Sequence, residues 1–424
     1  MEHLFRASGG PLPYTGGAMR FARLILLALA STATATDWPQ WRGPTLDGRS
    51  TETTFPTKWS RTENILWRTE LPGEGHASII VQKGRLFTVA AIADKNERVI
   101  ICMNRTSGEI LWQQVVLTSP FERLHKENSH ASSTPACDGQ RVFCTFLDGS
   151  TAVVAAYDFD GKKLWEKRPG IFTSVHGFCS TPIVYKDKVI VNCDHDGDGY
   201  IVALACDDGR ELWRIDRPNK TRSYCAPLIR ETAGRTQMVL SGTKCFTSYN
   251  PDTGKLLWNY DGPTEQFVAS PVYSEKTEHF YLTAGFPTYH TLAVPASCNG
   301  QVQETQLAWH HKQKKGAAYV PSPIIEADWL LLNDDLGFAH AFDAKTGDIV
   351  WEQRFGRTHA SLVSAAGLVY FLNDDGICHI VKPADKFTII AKNELGEPTY
   401  ASPALSDGQI FLRTNKAIYC IGKR

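Results

Sequence analysis

The stretch Phe342-Asp343-Ala344-Lys345-Thr346-Gly347-Asp348-Ile349-Val350-Trp351 decides the fold. An apolar segment runs into a polar turn that ends in glycine. A second apolar segment follows and carries a tryptophan. The same design recurs as Gly108 with Trp112, Gly161 with Trp165, Gly209 with Trp213 and Gly254 with Trp258, and looser copies end at Trp67 and Trp309. Successive tryptophans lie 45, 53, 48, 45, 51 and 42 residues apart, and an eighth copy, Phe387-Thr388-Ile389-Ile390-Ala391, has lost its tryptophan. Self-similarity at such a period marks a repeat architecture, in which each unit buries its apolar face only against its neighbours.

A second series runs in phase with the first. Thr134-Pro135, Thr181-Pro182, Ala226-Pro227, Ser270-Pro271, Ser322-Pro323 and Ser402-Pro403 each open a short apolar strand. His76-Ala77-Ser78-Ile79 and His359-Ala360-Ser361-Leu362 are the same unit without proline. Between the two series lie alternating apolar segments separated by Gly, Asp and Asn, such as Tyr200-Ile201-Val202-Ala203-Leu204. Each unit therefore reads as four short antiparallel strands, A to D. Four strands in roughly 40–50 residues is the period of a propeller blade.

The expectation is an all-β, eight-bladed β-propeller over 62–424. Lys416 to Gly422 supplies a third strand with no fourth after it, and Asn64 to Leu71 is an orphan fourth strand. Pairing the two would close the ring and remove its raw edges. In each unit the glycine is expected to close the C–D turn at positive φ. The tryptophan is expected to lie between adjacent blades, where its large apolar area is buried.

The chain has 424 residues, with Lys plus Arg and Asp plus Glu both 45. A hydrophobic share of 42% against 21% charged residues is a globular composition. Zero net charge argues against a nucleic-acid partner, which would want a basic surface. Residues 1–35 read as a targeting segment with a natural start at Met19. Arg20 and Arg23 precede the apolar run Leu24 to Ala30, and Ala33-Thr34-Ala35 is a small-x-small cleavage pattern. The expected location is therefore the periplasm or the outside of the cell. No cysteine follows the run, so a lipid anchor is not expected, and nothing after residue 35 is apolar for long enough to cross a membrane. Residues 36–61, with Trp38, Trp41 and Trp59, form an arm expected to pack on the ring. Among the 11 cysteines, Cys102 and Cys420 stand where other repeats have alanine and read as small buried residues, whereas Cys137 and Cys144 are placed to face each other across a hairpin.

The stretches Phe342 to Trp351 and Tyr249 to Trp258 resemble the tryptophan-docking motif of pyrroloquinoline-quinone (PQQ)-type propellers. The resemblance covers roughly 62–424. The segment Asp37-Trp38-Pro39-Gln40-Trp41-Arg42-Gly43-Pro44, with Asp47-Gly48, looks like the leader of exported quinoprotein-like repeat proteins of planctomycete-type bacteria. That resemblance implies one of two functions. The large quinoprotein dehydrogenases oxidise alcohols or sugars with PQQ, and the BamB-like members are non-catalytic scaffolds. This chain departs from the dehydrogenases: it has no adjacent Cys-Cys pair and no Cys-x-x-Cys-His haem motif.

Chemistry is expected on the face where the D–A and B–C loops emerge. Ahead of each strand A stands a His or an aromatic residue: His76, His130, His176, Tyr224, Phe267, Tyr319, His359 and Tyr400. If the ring closes, these side chains meet at the channel mouth, where neutral imidazoles serve as ligands or proton carriers. Leu117 to His130, the longest inter-blade insertion, and Lys220-Thr221-Arg222 add cations to the rim. Asp194, Asp196 and Asp198 have the spacing that opens a calcium loop, although the twelfth position is Ala205, and turn chemistry explains the same residues. The reading is a monomeric exported propeller that holds a protein partner or small ligand on its top face. A PQQ- or metal-dependent oxidoreductase acting on an alcohol or sugar is the alternative.

Overall fold

Eight four-stranded antiparallel sheets follow one another along the chain in a computed structural model that describes residues 9–11 and 36–423. The targeting segment expected over residues 1–35, with its start at Met19, lies outside the described residues apart from residues 9–11. Blade 1 consists of Ile80–Gln82, Arg85–Ile92, Glu97–Asn104 and Ile110–Thr118, named A to D from the inside out. Blades 2 to 7 repeat this order over 136–171, 183–216, 228–261, 272–311, 324–354 and 363–394. Blade 8 takes its three inner strands from Ala404–Ser406, Gln409–Arg413 and Ala417–Ile421. Its outer strand is Ile65–Glu70, which pairs antiparallel with Ala417–Ile421 and closes the ring.

The tryptophans bind each blade to the next. Within its own sheet each stands opposite a small residue: Trp67 faces Cys420, Trp112 faces Cys102, Trp165 faces Ala156, Trp213 faces Ala203, and Trp351 faces Ala341. Cys102 and Cys420 are thus the small residues their place in the repeat required. Across the blade boundary the indole N–H donates to a carbonyl in the C–D turn of the following blade. Trp67 reaches Arg105 at 2.9 Å, Trp112 Phe159 at 2.8 Å, Trp165 Cys206 at 3.0 Å and Trp213 Pro251 at 3.1 Å. Trp309 and Trp351 make the same bond to Ala344 and Ala384, both at 3.0 Å. The turn glycine has two roles. Gly108 sits at φ +73°, and a Cβ there would lie 2.5 Å from the Trp67 ring.

Trp258 breaks the pattern, donating to Gln237 Oε1 in its own blade at 2.8 Å. The cause is an insertion. In blade 5 the C–D connection runs from Ala296 to Ala308 and includes Gly300–Val302, which pairs parallel with Trp258, Asn259 and Tyr260 as a fifth strand of blade 4.

The inner strands carry a belt of hydroxyls. The Ser78 amide donates to Thr134 Oγ1 at 2.9 Å, and the Thr134 amide to Thr181 Oγ1 at 3.3 Å. After a gap, Ala226 donates to Ser270, Ser270 to Ser322, Ser322 to Ser361, Ser361 to Ser402, and Ser402 back to Ser78, all at 2.9–3.0 Å. The gap falls at Ala226, which has no hydroxyl for the Thr181 amide.

The N-terminal arm runs around the face opposite the B–C loops and touches every blade. Trp38 forms a two-bond bridge to Val81, Pro39 O accepts from the Cys137 amide, and Gln40 Oε1 accepts from Val184. Arg230 donates to Thr45 O, Arg49 pairs with Glu275 at 2.9 Å, and Arg42 donates to Pro323 O. Gly48 and Ser50 bond Ser364, and Glu52 caps the amides of Asp407 and Gly408. All eleven cysteines are free thiols. Cys137 and Cys144 do not face each other across the hairpin: Cys137 stands opposite Val142, and Cys144 opposite Ala155.

Candidate functional site

The centre of the ring holds a cup in two parts whose linings share His76, Ser132, Cys179, Tyr224, Val268, Val320, His359 and Tyr400. Its upper part encloses about 410 Å³ and its lower part about 130 Å³. Trp41 of the arm lines the lower part, together with belt residues Ser78, Thr134, Thr181, Ser361 and Ser402.

Six of the eight expected mouth residues meet in the upper part: His76, His176, Tyr224, Tyr319, His359 and Tyr400. Two do not. His130 folds back into its own insertion, stacking on Phe121 at 4.2 Å with Nε2 2.8 Å from the Glu122 carbonyl. Phe267 is fully buried in the wall, and Val268 faces the cup instead. Both residues lie in the loop ahead of strand A, where Phe267 forms an isolated bridge with Ser223. Arg222 also stays outside the cup, held by Asp196 at 2.7 Å.

The rings interlock. His359 stacks on Tyr400 at 4.2 Å, and His76 meets the same ring edge-on at 4.7 Å. Asp374 orients His359 twice: Oδ1 accepts its amide at 2.8 Å and Oδ2 lies 2.9 Å from Nδ1. Opposite, Tyr224 OH lies 3.1 Å from His176 Nδ1 and also meets Ser174 Oγ. Burial lowers the His76 pKa to about 4, with the charges of Arg413 and His359 acting the same way. Burial also lowers that of His176, helped by Arg222 and His125. Burial pushes Tyr319 up to about 12. His76 and His176 are therefore neutral rings at neutral pH.

Several cup residues escaped the sequence reading. Glu127, at the end of the long insertion, reaches Arg357 in the loop before blade 7 at 2.8 Å. This bond spans the mouth. The Arg357 hydrogen bond, acting against burial, holds the Glu127 carboxyl low. Asp335 and Asp374 lie in the Asn-Asp-Asp hairpins that turn chemistry explains, and part of that explanation stands: Asp334 Oδ1 accepts the Leu336 and Phe338 amides. Asp335 lines the cup, and Asp374 holds His359 beside it. Asn128 and Cys179 complete the wall, and neither carried a sequence signal.

Each of the calcium-loop candidates is paired with a different cation of the chain: buried Asp194 with Arg217 at 2.9 Å, Asp196 with Arg222 at 2.7 Å, and exposed Asp198 with Lys220 at 2.9 Å. Among the described residues no three His, Cys, Asp or Glu side chains stand together as a metal set. PQQ fits the cup poorly by donor chemistry. It carries three carboxylates, and the guanidinium lining the cup, Arg357, is already paired with Glu127.

A ring of eight blades around an aromatic cup defines the class of protein, and comparison with known proteins places it further. The family model for the outer membrane protein assembly factor BamB (PQQ_2) matches residues 95–274. The BamB of Shewanella oneidensis is 26% identical over 216 residues, covering 48% of this chain and 51% of that protein. The chain thus spans about half the length of that curated relative. The crystal structure of BamB from Moraxella catarrhalis superimposes with a TM-score of 0.60 at 13% identity, over 85% of this chain and 97% of that one. The quinohemoprotein alcohol dehydrogenase of Comamonas testosteroni gives 0.65 at 12% identity, over 92% and 81%. At these identities the two structures establish a shared fold. The chain is an eight-bladed β-propeller, similar to BamB over residues 95–274.

Proposed function

We propose that this protein is an exported, non-catalytic propeller that holds a protein partner or a small ligand on its top face. The observation that carries the reading is the concentration of concave surface on that face. Beside the cup runs an open groove of about 880 Å³ between the long insertion and blades 2 and 3. Arg123, Lys126 and Val175 line it and are exposed, Val175 at 63%. An apolar side chain rimmed by charge suits a partner surface. The likeness to a relative named for outer membrane protein assembly supports a protein partner and an exported location. No helix among the described residues is long and apolar enough to cross a membrane.

The test is a comparison of three proteins by crosslinking in a cell-envelope extract. The wild type and a Lys345→Glu control, altered on the opposite face, are expected to capture the same polypeptide. The triple variant Arg123→Glu, Lys126→Glu, Val175→Asp is expected to lose it. Equal capture by the triple variant would remove the top face from the reading. The oxidoreductase alternative is favoured by the shared fold with an alcohol dehydrogenase. Incubation with PQQ and calcium separates the two. A retained chromophore with dye-linked oxidation of alcohols or sugars would replace the scaffold by an enzyme.

A further inference from the structure

The cup has an unmatched charge. Asp335 lines its wall, and only one of its oxygens is engaged: Oδ1 accepts the Tyr319 amide at 3.0 Å. Oδ2 has no hydrogen-bond partner, and no ion pair involves Asp335 among the described residues. Asp194, Asp196, Asp198 and Glu127 each have an Arg or Lys within 2.9 Å. The guanidinium that shares the cup is committed to Glu127, 2.8 Å away. A partly buried carboxylate with no cation in contact carries a desolvation cost, and burial raises the Asp335 pKa, with Asp334 acting the same way and the Tyr319 amide, Lys314 and Arg357 acting against it. A cationic ligand would relieve that cost.

The remaining walls suit such a ligand. Tyr319, Tyr224 and Tyr400 present three phenol rings to the same space, and His76 and His176 enter it as neutral rings. Aromatic faces carry negative electrostatic potential and attract ammonium groups, most strongly where water is excluded. An anionic ligand would meet Asp335 with no free cation to receive it.

We propose that the cup binds a small organic cation, an alkylated or primary ammonium seated between the Asp335 carboxylate and the tyrosine rings. The upper volume of about 410 Å³ accommodates a ligand of that size with part of its chain. The inference rests on the small-ligand half of the proposed function and names the chemistry of that ligand.

Calorimetric titration with choline and with 3,3-dimethylbutan-1-ol, its uncharged isostere, tests it, with sodium chloride as the ionic-strength control. Choline is expected to bind at least tenfold more tightly than the alcohol. Asp335→Asn is expected to weaken choline at least tenfold and to leave the alcohol unchanged. Tyr400→Leu provides a second variant should the first fold poorly, and it too is expected to weaken choline more than the alcohol. Equal binding of both compounds would overturn the cation and leave a neutral small-ligand cup. Binding of neither would overturn the inference and the ligand half of the function together, with the partner capture described above still standing alone.

Discussion

At the scale of the residue, His76 ties the cup to the stability of the ring. Its ordinary pKa of 6.5 falls to about 4 in the folded protein because burial disfavours the imidazolium. Between those values the unfolded chain binds the proton and the folded chain does not, so stability falls as the pH falls. The contribution is fully present above pH 6.5 and is lost on descending towards pH 4. His290 and His379, also lowered to about 4 by burial, act in the same direction. Urea midpoints measured at pH 7.5 and 4.5 should therefore converge in His76→Gln without becoming equal. A variant whose midpoints differ as much as those of the wild type would show that His76 is protonated in the folded state.

At the scale of the element, the belt of hydroxyls makes a prediction from its own defect. Ala226→Ser gives the Thr181 amide a partner and completes the circle. A neutral hydrogen bond formed in this way contributes about 1 kcal/mol, so the variant is expected to unfold at higher denaturant. Ser402→Ala, which removes one bond and leaves the Ser361 amide unpartnered, is expected to lose at least as much. A destabilised Ala226→Ser would show that the site has no room for the hydroxyl.

The same elements show what a sequence can display. The strand count, the blade period and the exchange of termini were legible because they rest on periodic features: glycines at positive φ, tryptophans on outer strands and apolar alternation. The belt was visible only as Ser or Thr before proline, since bonds between blades leave no periodicity beyond that of the repeat itself. The cup was half legible. His76 and His359 could be placed by counting from the strand, but Phe267 and Val268 are neighbours in a loop, and only the folded path of that loop says which of them faces inward. Arg357 and Glu127 meet across 230 residues of sequence, and such a contact has no local sign. The cations paired with Asp194, Asp196 and Asp198, namely Arg217, Arg222 and Lys220, come from later in the chain, and the Asp spacing alone carries no sign of them.

At the scale of the whole molecule, the arm ties the ring to its cup. It bonds to the inner strands of the blades and lines the lower part of the cup with Trp41. Deleting residues 36–61 should lower the melting temperature. It should also speed amide exchange at Val81, Cys137 and Ser364, each of which is bonded to the arm. Exchange unchanged at those amides would show that the ring holds its inner strands without help.

Closure has its own consequence. Glu70, on the first strand to be made, finds its partner Ala417 on the last. Each of the other blades can complete its sheet from neighbouring sequence as it leaves the ribosome, while Ile65–Glu70 waits with an open ladder. Loop-closure entropy grows only slowly with the length of chain between the two ends, so the wait adds little to the equilibrium cost. It does make the fold a gauge of length: a product that stops short of Ala417 ends as an open fan with two raw edges, marked for aggregation or proteolysis by the strand it lacks.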